Sequence, residues 1–150
     1  MGGAMSQPQA DIGSIAIAMD VPVRFVETDL MGVVHHSAYV PWLELGRIAW
    51  LAGIGMPYTE IAAGGHHFSV TGITVQYRAS ATFGDTVRVV TRLAQLRSRQ
   101  VSFEYELFNA ATDQLLATGR SDHICVDLAG RMAKIPQDVI DRIAAGGFVD

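Results

Sequence analysis

One cysteine in 150 residues, Cys125, leaves no partner for a disulfide within the chain and no set of thiolates for a structural zinc site. A chain built without disulfides suits a reducing compartment, so a cytoplasmic location is expected. Charge is scarce too. Asp, Glu, Lys and Arg make up 17% of the residues, against ~25% in a typical soluble domain. A small domain with so few charges often hides surface against another copy of itself, and a homodimer or homotetramer is expected. The net charge of −4 argues against broad attraction to nucleic acid or an anionic membrane, so any anionic ligand needs a local basic cluster. No run of ~18 apolar residues occurs, and no transmembrane segment is expected. The opening "MGGAMSQPQADIGS" lacks the basic start and apolar run of a secretory signal. Gly2 and Ser6 fit the short, common myristoylation pattern. Residues 1–18 read instead as a disordered leader, or in part as an expression remnant ahead of Met5.

Hydrophobic residues supply 49% of the chain, and the length suits one domain with a real core, over residues 19–150. "VPVRFVE", Val21 to Glu27, alternates and reads as a first strand. "GIGMPYTEIAAGGHH" reads as a connector with about one helical turn. Then come four strand-like runs rich in Val, Thr, Phe and Tyr: "FSVTGITVQYRAS", "DTVRVVTRLAQL", "QVSFEYELFN" and "LLATGRSDHICVDL". The short breaks "ATFG", "RSR" and "AATDQ" suit antiparallel hairpins. In the second run Arg88 and Arg92 share one face while Val87, Val89 and Leu93 share the other. "PQDVIDRIAA" closes the chain as a short helix with Pro136 near its first turn.

Between the first strand and the connector lies an apolar helix. From Tyr39 to Ala52 its only charged residues are Glu44 and Arg47, three apart and able to pair. A helix apolar nearly all round is expected to be buried. Pro41 has to fall in its first turn, so the helix should start around Ser37 to Tyr39, just after His36. The class is α+β.

Asp29 and His36 stand at the approach to this helix in "TDLMGVVHHSAYVPWLELGR". Hydrolysis at a carbonyl needs a group that attacks it or activates water, and donors for the developing oxyanion. A carboxylate can do the first and the free N–H groups of a helix N-terminus the second. Gly32 permits the tight turn that would bring them together. A lone Asp before a glycine turn could equally be a structural cap, and a lone His a satisfied loop residue. The pattern as a whole resembles the 4-hydroxybenzoyl-CoA thioesterase family, closest to its tol–pal-associated bacterial branch. Asp29, Gly32, Val33, Val34, His36 and Tyr39 stand at the matching places, and Glu44 and Arg47 match the family's acidic-x-x-Arg. "VQYRASATFGDTVRV", "SFEYEL" and "HICVDLAGRMAKIP" resemble later blocks, extending the likeness over about residues 20 to 136. His35 replaces the usual aromatic residue before the His, and "YRASA" carries Ser80 and no proline.

The resemblance implies a hotdog fold, an antiparallel sheet wrapped around a long central helix. It implies an acyl-CoA thioesterase with Asp29 as nucleophile or general base and the backbone N–H near His36 as oxyanion donor. Gly32, Val33, Val34 and Tyr39 would shape the substrate site. Arg97 and Arg99 in "LRSRQ", with Arg131 and Lys134 in "GRMAK", would hold the phosphates of coenzyme A, which belongs to the substrate; no separate cofactor is expected. The same charges could be ordinary exposed turn residues. Glu44 is the fallback base, because a related branch carries its carboxylate on the helix. His66 and His67 lack a Cys or carboxylate at ligand spacing, so no metal is expected. His123 and Cys125 alternate on one strand face and read as core or interface. Acyl carrier protein thioesters, or binding of acyl-CoA without catalysis, are the competing readings.

Overall fold

The computed structural model describes residues 15–146. In chain order these form strand β1 (Ala16–Pro22), helix α1 (Tyr39–Gly53), short helix α2 (Tyr58–Ala63), strands β2 (His66–Tyr77), β3 (Thr86–Leu96), β4 (Gln100–Asn109) and β5 (Leu115–Asp127), and helix α3 (Gln137–Gly146). Two 3₁₀ turns, Phe25–Glu27 and His36–Ala38, lie between β1 and α1. Among the described residues no helix is long and apolar enough to cross a membrane.

The five strands make one antiparallel sheet in the order β1-β3-β4-β5-β2. The tight turns join β3, β4 and β5 as neighbours. β1 pairs with β3, from Ala16↔Arg92 to Pro22↔Thr86. β2 pairs with β5, from His66↔Asp127 to Tyr77↔Ala117, with a bulge between Val70 and Gly72. Both early strands therefore end on opposite edges of the sheet.

Two expectations need correction here. β1 starts at Ala16, so residues 16–18 belong to the sheet and not to a leader; residues 1–14 lie outside the described residues. In "VPVRFVE" only Val21 and Pro22 are strand. The alternation misleads because Glu27 intervenes: its Oε1 accepts from Arg24 N at 2.8 Å and closes a 3₁₀ turn that leaves Phe25 and Val26 exposed.

α1 lies across the sheet with Trp42, Leu43, Trp50 and Leu51 buried beneath it. The Phe103 ring of β4 meets Trp50 edge-on at 5.5 Å. Gly46 is one point of close approach between helix and sheet. A Cβ there would stand 2.5 Å from Thr91 Oγ1 and 2.8 Å from Val89 Cγ1. Pro41 is the third residue of α1 and costs no backbone bond. The helix is not buried all round, however. A five-stranded sheet covers one side of it, and Val40, Leu45 and Ile48 remain 38–41% exposed.

Candidate active site

Asp29 sits in a turn built by its own backbone and side chain. Its N–H donates to Val33 O at 2.8 Å and its carbonyl accepts from Gly32 N at 3.0 Å. Its Oδ1 accepts from Met31 N at 2.8 Å and from Val33 N at 3.1 Å. Gly32 has φ +76°, a conformation that favours glycine. The turn is clamped from the far side, where Phe83 N donates to Gly32 O and Val34 N to Ala81 O. One carboxylate oxygen is thus spent on fixing the side chain. Among the described residues Oδ2 accepts no hydrogen bond.

The loop then enters the helix. His35 N donates to Glu27 O at 2.9 Å, and Ala38 N to His35 O at 3.0 Å. Tyr39 N bonds back to His36 O. The N–H groups of His36 and Ser37 open the 3₁₀ turn and have no hydrogen-bond partner among the described residues. These are the free donors that a helix start supplies. The preceding segment is anchored by Glu27, whose Oε2 accepts from Trp42 Nε1 at 2.9 Å. Burial pushes the Glu27 carboxyl up, but the bonds from Arg24 and Trp42 outweigh it and leave its pKa lowered.

Asp29, Val34, His36 and Tyr39 line one open cleft of about 430 Å³. Gly32 and Val33 shape the turn without lining it. The other walls come from Tyr77, Arg78, Ala79 and Ser80 at the end of β2. Tyr77 was not singled out from the sequence. Its hydroxyl donates to His36 O at 2.9 Å, and its ring meets Tyr39 edge-on at 5.0 Å. It ties the helix start to the edge of the sheet. The visible signal was an aromatic residue in "VQYRAS", whose partner lies 41 residues away in sequence.

The basic clusters lie elsewhere. Ile135 N donates to Ser98 O, and Cys125 N to Arg99 O. The Arg97–Arg99 turn and the Arg131–Lys134 segment therefore do come together, with all four side chains exposed. They stand beside Cys125, which pairs with Phe68 near the start of β2. Asp29 stands beside Tyr77 at its other end. The rise of a strand puts these ends roughly 30 Å apart. One chain alone does not bring Asp29 and the basic residues to a common site.

The helix charges also differ from expectation. Glu44 is exposed and does not line the Asp29 cleft. Arg47 is buried and turns away from Glu44, reaching within 3.5 Å of His123 Nδ1. Cys125 is buried, which raises the pKa of its thiol. His66 is held by Gly64 O at 3.2 Å, and among the described residues no three His, Cys, Asp or Glu side chains gather where a metal could bind.

The family model of the thioesterase-like superfamily matches residues 23–143. The chain belongs to this superfamily. Its α+β architecture, five antiparallel strands with a helix across them, is the hotdog fold. YneP of Bacillus subtilis (strain 168), which carries the provisional name acyl-CoA thioesterase, is 32% identical over 72% of this chain and 78% of its own length. The acyl-CoA thioester hydrolase YbgC of Escherichia coli O157:H7 is 28% identical over 80% of this chain and 90% of its own. Among solved structures, protein TT1821 from Thermus thermophilus superimposes with a TM-score of 0.81. It is 39% identical, over 87% of this chain and 97% of its own.

Proposed function

We propose that this protein is an acyl-CoA thioesterase, releasing a free acid and coenzyme A, with the Asp29 carboxylate as general base or nucleophile. The observation that carries this reading is the pairing, on one cleft, of a carboxylate fixed through Oδ1 with Oδ2 unbonded, and a helix start with two N–H groups to spare. As a base, Asp29 takes a proton from water while the oxygen adds to the thioester carbonyl. As a nucleophile, Oδ2 adds directly and water later cleaves the mixed anhydride. In both routes the carbonyl electrons move onto oxygen, the N–H groups of His36 and Ser37 stabilise that charge, and collapse expels the thiolate of coenzyme A. The His36 side chain, exposed at the cleft, orients substrate or water. Within the superfamily, the Asp29–Gly32–His36–Tyr39 pattern supports a reading with the 4-hydroxybenzoyl-CoA thioesterases, nearest the tol–pal-associated branch.

The site is completed by a second copy. β2 is an edge strand of 12 residues, and an open edge of that length invites pairing. Two β2 strands paired antiparallel along their length set the Tyr77 end of one beside the His66 end of the other. Asp29 of one copy then lies next to the Arg97, Arg99, Arg131 and Lys134 cluster of its mate, which receives the phosphates of the coenzyme.

Asp29→Asn keeps the side chain's size and is a poor base and nucleophile. Thiol release from a panel of short aliphatic, long aliphatic and aromatic acyl-CoAs should show kcat lowered by at least ~10²-fold, with acyl-CoA binding retained. Wild-type turnover in the variant would show the carboxylate misassigned. Binding without turnover in the unaltered protein would leave a carrier of acyl-CoA, not a hydrolase.

A further inference from the structure

Arg47 and Glu44 are each left without the other. The Arg47 residue is 6% exposed, its guanidinium 5.9 Å above the Tyr58 ring and 3.5 Å from His123 Nδ1. Arginine has no acceptor, so Nδ1 accepts and the proton of His123 resides on Nε2. From there it is donated to Ser121 Oγ at 2.8 Å, and Ser121 bonds the Tyr105 hydroxyl at 2.6 Å. Every member of this network is neutral except Arg47. Among the described residues no carboxylate lies within ion-pair distance of it. A buried charge without a counter-ion is strongly unfavourable. Glu44, one turn earlier on α1, is exposed and likewise has no partner among the described residues. Both line a narrow slot between α1 and β2, with Val40, Leu43, Val70 and Ile73.

We propose that a second copy of this chain covers the slot, its Glu44 carboxylate pairing with this Arg47 and its Arg47 with this Glu44. The proposal rests on the edge pairing of β2 described under the proposed function, and it names the contact that fixes the pairing. β2 spans His66–Tyr77. Two such strands paired antiparallel over their whole length have their two-fold axis between Thr71 and Gly72. Val70 and Ile73 flank that point, so the slot lies at the axis, where the same residues of both copies meet. The axis also sets the two α1 helices antiparallel. A Glu one turn before an Arg on each helix then faces the Arg of the other. The contact is self-complementary, as a two-fold interface requires. Val40, Val70 and Ile73, 38–46% exposed in one chain, line the slot beside the charges and exclude water from them once a second copy covers it.

The test is a dilution series of the full chain by analytical ultracentrifugation, with far-UV circular dichroism to check folding. Glu44→Lys alters an exposed side chain and sets Lys against Arg47 of the mate. The dimer dissociation constant should rise at least ~10-fold, as for loss of a buried interfacial charge pair, and the loss should shrink as salt screens the repulsion. The swap Glu44→Lys with Arg47→Glu should restore the dimer. If the swap does not fold, the series Glu44→Gln, Glu44→Ala, Glu44→Lys should weaken the dimer in that order. A Glu44→Lys dimer as tight as the unaltered one would overturn the pair, and leave Arg47 open to a carboxylate on the substrate. An unaltered protein that is monomeric at micromolar concentration would overturn the edge pairing itself.

Discussion

His123 is a histidine that the fold keeps uncharged. Burial, ahead of the nearby Arg47 charge, pushes its pKa down to about 4, and Asp122 opposes this only in part. The unfolded chain takes up the proton near 6.5. The neutral form therefore stabilises the folded state fully above pH 6.5, and that contribution is lost as pH falls from 6.5 through 4. The loss amounts to up to about 3 kcal/mol. Urea unfolding midpoints should fall over this window in the unaltered protein and change much less in His123→Gln; equal pH slopes in both would place the titrating group elsewhere. At this scale legibility depended on sequence distance. Asp29, Gly32 and His36 could be read because one turn joins them, and its chemistry is local. Tyr77 and Glu27 escaped because their partners, His36 O and Trp42 Nε1, come from remote parts of the chain. The Glu44–Arg47 pair was inferred from helical spacing alone, and the buried network at His123 draws Arg47 away from it.

Among the elements, α1 and β3 fit closely at Gly46. Gly46→Ala should raise helix propensity by up to ~1 kcal/mol. It should also drive a methyl group into Thr91 Oγ1 and Val89 Cγ1, at separations of 2.5 and 2.8 Å that no real contact shows. Both neighbours are β-branched and stiff, so overpacking, at ~1–3 kcal/mol, wins. The melting temperature should fall by a few degrees at ~2–4 °C per kcal/mol. An unchanged or higher value in calorimetry would mean that the helix can lift from the sheet without loss. Elements whose pattern and boundaries agree were readable: "QVSFEYELFN" coincides with β4, and the start of α1 follows from Pro41. β1 was displaced because alternation persists past Pro22, while the carboxylate of Glu27 turns the backbone out of the sheet. The burial expected of α1 from composition overlooked what the sheet is able to cover, which is one side.

For the whole molecule, the hotdog class followed from the order of its elements and the motif, but the position of β2 on the far edge did not. That placement sets the basic cluster and Asp29 at opposite ends of one chain, and it makes the reading of coenzyme A binding depend on two chains. Replacing Arg97, Arg99, Arg131 and Lys134 together should raise KM for acyl-CoA while kcat stays nearly constant. With an acyl-pantetheine, which lacks the nucleotide, the same variant should match the unaltered enzyme. Equal loss with both substrates would assign those charges another task. The sheet order bears on folding as well. Among the described strands β2 is the second to be synthesised, yet its partner β5 is the last. Its docking closes one of the longest loops in the chain, and contacts of such sequence separation form slowly. The open β2 edge is therefore the last part of this sheet to form. In the proposed dimer a nascent or half-folded chain has no edge to pair, so assembly would select for chains whose folding is finished.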